Sequence, residues 1–81
     1  MSDNRGYSNK LANANRNADF SSAGVKLGRF CIAEGKRVAT IAEKFNVTKL
    51  TIYKWFDGGW IPNEKHTNQI LKYLEREDEK V

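Results

Sequence analysis

Two apolar stripes of helical period lie three residues apart in the middle of this chain, and that short spacing constrains the fold more than any other feature. Val38, Ile41, Ala42 and Phe45 fall at i, i+3, i+4 and i+7, one face of a two-turn helix. Ile52 and Trp55, with Phe56 beside them, mark the inward face of a second helix running from Lys49 to about Asp57. Between them stand Asn46, Val47 and Thr48. Asn46 sits where a tight turn needs a residue that adopts positive φ at low cost. Thr48 is an N-cap for the helix that follows. A connection this short does not allow antiparallel side-by-side packing, so the second helix must cross the first steeply.

The rest of the chain supports an all-α domain. Eighty-one residues hold one small core, not two. A chain of this size buries only about 60% of its unfolded surface, so it relies on helical packing, a disulfide, a metal or a partner chain. A single cysteine, Cys31, and a single histidine, His66, exclude an intramolecular disulfide and a four-ligand zinc site. Helical packing or oligomerisation remains. Ser21 or Ser22 caps a helix carrying Val25, Leu27, Phe30, Cys31 and Ala33, and Gly35 is placed to stop it. Gly58-Gly59 ends the helix from Lys49. Asn63 caps a last helix with Glu64 in its first turn and an apolar stripe of Thr67, Ile70, Leu71 and Leu74. The expectation is a compact bundle of about four helices over residues 21–76, with a charged, fraying tail at 77–81. Residues 1–20 hold five asparagines together with Arg5, Lys10 and Arg16, and read as a flexible basic arm. A competing helix in that arm is suggested by Tyr7, Leu11, Ala14 and Ala18, with Ser8 as cap, although asparagine forms helices poorly. Neither a signal peptide nor a membrane span is visible, which points to the cytoplasm. There Asn46-Val47-Thr48, formally a glycosylation sequon, is better understood as a turn.

Charge is unevenly placed. Residues 1–56 hold ten of the fourteen basic residues and four of the ten acidic ones, a net +6, whereas residues 57–81 carry a net −2. A basic domain beside an acidic end is compatible with a polyanionic partner such as nucleic acid. The steep crossing also demands a small residue where the two central helices approach. Counting Val38 as the first of twenty residues, Ile41, Ala42, Phe45, Val47, Ile52 and Trp55 all suit a helix-turn-helix.

The run from Ile41 to Thr48, then Thr51 to Gly58 and Pro62, resembles the helix-turn-helix of the phage Cro and repressor family. The resemblance covers roughly residues 25–75. Family members commonly show a Trp, a Gly three residues on and a Pro four beyond, matched here by Trp55, Gly58 and Pro62. Two departures stand out: Asn46 replaces the usual turn glycine, and the family fold usually has five helices where four are predicted here. The resemblance implies a small transcriptional regulator, a duplex DNA partner and no cofactor, with the helix 48–57 in the major groove.

On that basis Lys49 reaches a guanine edge or a phosphate, Leu50 a thymine methyl, and Tyr53 and Lys54 the backbone, with Thr48 and Thr51 near the helix start. Lys36 and Arg37 reinforce a phosphate site at the head of helix 38–45. Trp60 in the following loop adds a contact, or serves with Ile61 as a lid on the core or a patch for a partner. Arg5, Lys10 and Arg16 are candidate arm contacts, salt-sensitive or in the minor groove. Such modules usually act as homodimers, and Ile70, Leu71 and Leu74 are the candidate dimer surface. Two alternatives stay open: a phage packaging or recombination accessory factor using the same module, and a protein-interaction module docking RNA polymerase or another protein through Leu50, Tyr53 and Trp60. Catalysis is not expected. His66 has no catalytic companion, Cys31 reads as a small buried hydrophobe, Gly58-Gly59 lacks the Lys-Ser or Lys-Thr of a phosphate loop, and the acids from Glu75 to Glu79 have no enclosing pocket.

Overall fold

A computed structural model describes residues 7–79, with side chains as far as Glu77. Five helices follow one another, α1 (Asn9–Asn17), α2 (Ala23–Glu34), α3 (Val38–Phe45), α4 (Lys49–Phe56) and α5 (Glu64–Glu79). The last four lie where the apolar periodicity predicts them, and their ends follow local chemistry. Gly35 and Asn46 both take left-handed backbone, with φ of 70° and 57°, and terminate α2 and α3. Thr48 accepts from the Thr51 N–H to cap α4, and Asn63 Oδ1 accepts from the His66 N–H to cap α5. Ser22 stands at the N-cap of α2, yet its hydroxyl makes no cap bond and is buried without a partner.

α2 is the central element, packed against α1, α4 and α5. Leu27, Cys31, Ile41, Ile52, Phe56 and Ile70 are almost fully enclosed. Aromatic edges knit the core, with Phe45 set edge-on to both Trp55 (6.4 Å) and Tyr73 (5.7 Å). α4 approaches α2 so closely that two glycines one turn apart are needed. A Cβ on Gly24 would come within 2.8 Å of Trp55 Cβ, and one on Gly28 within 2.8 Å of Phe56 Cγ.

Three expectations are corrected. The bundle has five helices, not four: residues 9–17 are helical and packed, so the domain includes most of what the composition marked as an arm. Tyr7 and Asn15 explain why. The Tyr7 ring lies 6.1 Å from that of Phe56 and its hydroxyl donates to the Lys36 carbonyl. The Asn15 amide, 1% exposed, donates to the Val25 carbonyl (3.0 Å) and the Phe56 carbonyl (2.7 Å) and accepts from Arg29 Nε (3.0 Å). One side chain thus ties α1 to α2 and to the end of α4. The second correction concerns the tail, since α5 continues through Glu79. The third concerns Ile70, which is wholly buried in the core and cannot form a dimer surface.

Candidate nucleic-acid interface

α4 is divided sharply between its two faces. Ile52, Trp55 and Phe56 are buried, whereas Leu50 is 57% and Tyr53 40% exposed, with Lys49 exposed and Lys54 half-buried beside them. An eight-residue helix therefore turns a leucine, a tyrosine and two lysines outward. At its start the Thr48 and Thr51 hydroxyls lie 3.0 Å apart and share one hydrogen bond. Two hydroxyls carry two protons, and that bond uses one, so one donor is left for an oxygen acceptor.

Arg37 stands at the N-cap of α3 and its side chain makes no cap bond. The positive end of the α3 dipole and an exposed guanidinium thus occur together, a combination that favours an anion. Lys36 is placed otherwise. Its ammonium lies 3.8 Å from Glu77 Oε1, which ties part of its charge to α5.

The packing of α1 brings Lys10 toward α4. Tyr7, Lys10, Leu11, Tyr53 and Asp57 line one groove of about 360 Å³. Arg16 is exposed near the other end of α1, with Nη1 donating to Asn13 Oδ1 at 3.3 Å, and Arg5 lies outside the described residues. After α4, Gly58 takes a φ of 82° and the Trp60 N–H returns to the Lys54 carbonyl (3.1 Å). That turn leaves Trp60 46% and Ile61 72% exposed, so neither is a lid over the core.

Leu71 (43% exposed) and the half-buried Leu74 face a different groove, of about 860 Å³ between α2 and α5, shared with Phe20 and Phe30. Sequence reasoning missed Phe20, although a large apolar residue in a polar stretch is itself a signal.

Elsewhere three titratable groups, Tyr7, Cys31 and Tyr73, belong to the core. Burial pushes the Cys31 thiol up to about 12 and the Tyr73 hydroxyl to about 12, and it raises Tyr7 as well. Hydrogen bonds from Ser21 lower Asp19 at the head of the α2 connection. The His66 ring packs 5.1 Å from that of Trp55. Among the described residues no helix is long and apolar enough to cross a membrane. Compared with family models, curated proteins and solved structures, the chain shows no match.

Proposed function

We propose that this protein binds duplex DNA through a helix-turn-helix made of α3 and α4, as a small regulator of the phage Cro/repressor type. The observation that carries it is the division of α4: Ile52, Trp55 and Phe56 are buried, while Lys49, Leu50 and Tyr53 stand outward on the first turns. The N-terminal residues of a recognition helix are those that reach base edges. A three-residue connection with Asn46 in the left-handed region supports the same assignment. So does the fifth helix, which brings the helix number to that usual in the family.

Roles follow from placement. Lys49 and Leu50 address base edges, and Tyr53, Lys54 and the spare Thr48–Thr51 proton address phosphates. Arg37 and the head of α3 bind a phosphate, with Lys36 as a weaker contributor because of Glu77. Lys10 extends the footprint from α1 beside Tyr53.

The test is affinity for mixed-sequence duplex DNA at several salt concentrations, for the parent and a Lys49→Ala/Tyr53→Ala variant. The parent's log affinity should fall with log salt by about 0.9 for each phosphate neutralised, and the variant should lose about tenfold or more. No parental binding even at low salt would remove the DNA assignment. The exposure of Leu50, Trp60 and Ile61 favours a second possibility, docking onto RNA polymerase or another protein, and that result would point to it.

A further inference from the structure

We propose that the groove between α1 and α4 binds a small zwitterion, an α-amino acid with an aliphatic side chain. The proposal does not rest on DNA being the macromolecular ligand. Tyr7, Leu11 and Ala14, at i, i+4 and i+7, form one wall, and Tyr53 and Asp57, at i and i+4, form the other. Ser8 and Lys10 complete the lining at the start of α1. The volume of about 360 Å³ lies at the small end of the range for ligand sites, which suits one small molecule rather than a segment of a partner chain.

Two opposite charges line this groove without pairing. Among the described residues Lys10 and Asp57 form no ion pair with each other. Asn15 donates to the Phe56 carbonyl (2.7 Å), so Asp57 stands beside the second half of α1, whereas Lys10 belongs to its first turn. Lys10 and Ala14 are one turn apart, about 6 Å in rise. The ammonium and carboxylate of a single α-amino acid, each hydrogen-bonded to its opposite charge, bridge a gap of that order. Polar atoms are in place at both ends. Asp57 Oδ1 accepts from the Gly59 N–H (2.7 Å), which fixes the carboxylate and leaves Oδ2 for an ammonium. Ser8 Oγ accepts from the Leu11 N–H (3.0 Å), so its own proton remains for a carboxylate beside Lys10. Between the two ends, the half-buried Leu11 and Ala14 and the ring of Tyr53 offer apolar surface to an aliphatic side chain. A simple anion would meet Asp57 and a simple cation Lys10, so the groove favours a ligand that carries both charges.

The experiment is amide proton–nitrogen correlation spectroscopy of the full chain without DNA, titrated with L-leucine to about 20 mM, a range that reads millimolar dissociation constants. Saturable shifts should gather at Ser8, Lys10, Leu11, Ala14, Tyr53 and Asp57. Isocaproate, which lacks the ammonium, and isoamylamine, which lacks the carboxylate, should each bind about fivefold more weakly, the share of one partly exposed charge pair. Asp57→Asn keeps the acceptor for Gly59 and Lys10→Gln keeps a polar side chain, so far-ultraviolet circular dichroism should be unchanged while each variant weakens leucine binding by about the same factor. Arg16→Gln, a charge removed outside the groove, should leave it unaltered. Absence of saturable shifts, shifts centred elsewhere, equal binding of either half-molecule, or groove variants that bind as the parent does would each overturn the proposal. DNA is absent from the assay, so its outcome is independent of the DNA-binding test.

Discussion

Replacing Asn15 by alanine tests whether one buried amide holds α1 in the fold. Its Nδ2 bonds the Val25 and Phe56 carbonyls, and its Oδ1 accepts from Arg29. Val25 lies in the first turn of α2, where its carbonyl retains an intrahelical donor. Phe56 is the last residue of α4, where carbonyls have none. Leaving that buried carbonyl unpaired costs about 2 kcal/mol, within the 1–3 kcal/mol typical of such groups. Arg29 loses one charge-assisted bond, but it is half-buried and water takes over part of the role, so about 1 kcal/mol is reasonable. Alanine returns about 0.6 kcal/mol of helix propensity. The net loss is about 2–3 kcal/mol, against a total stability of roughly 4–12 kcal/mol for a chain of this length. In thermal terms the midpoint falls by about 10–20 °C. Urea denaturation followed by circular dichroism measures it, with Asn13→Ala as control. Asn13 is exposed on the same helix, so its replacement should be neutral or slightly stabilising. If the two variants lose the same stability within about 0.5 kcal/mol, the amide is not what anchors α1.

Two further outcomes follow from the packing. Gly28→Ala should destabilise by about 2 kcal/mol or more, although alanine normally stabilises a helix over glycine, because its Cβ would meet Asn15 Nδ2 at 2.6 Å and the Phe56 ring; a thermal midpoint at or above the parent's would contradict that close approach. Alkaline pH should weaken the fold. Burial raises Cys31 from 9.0 to about 12 and Tyr73 from 10.0 to about 12, so the unfolded chain releases these protons first. The stability they contribute is fully present below about pH 9 and is lost as pH rises toward 12. Urea midpoints measured from pH 7 to 11 should fall above pH 9, with a shallower fall between 9 and 10 in Cys31→Ala; a flat profile would exclude both groups as the source.

The sequence by itself determined α2, α3, α4 and the start of α5, because those features are local. A left-handed residue at 35 or 46, a hydroxyl at 48 and an amide at 63 act on backbone a few bonds away, and the apolar periodicity marks which face turns inward. The outward face of α4 was legible for the same reason: once Ile52 and Trp55 are inside, Leu50 and Tyr53 must be outside. Only the tertiary structure decided the remainder. An asparagine-rich segment becomes α1 because Asn15 finds Phe56, 41 residues away, and no local propensity encodes that meeting. Gly28 is required by a side chain on another helix, and Lys36 is drawn toward Glu77 across the bundle. Ile70 and Leu71 differ by one position on a single stripe, yet one is buried and the other exposed. The stripe on α5 is wider than the surface α2 covers, and where that cover ends is set by how the helices pack.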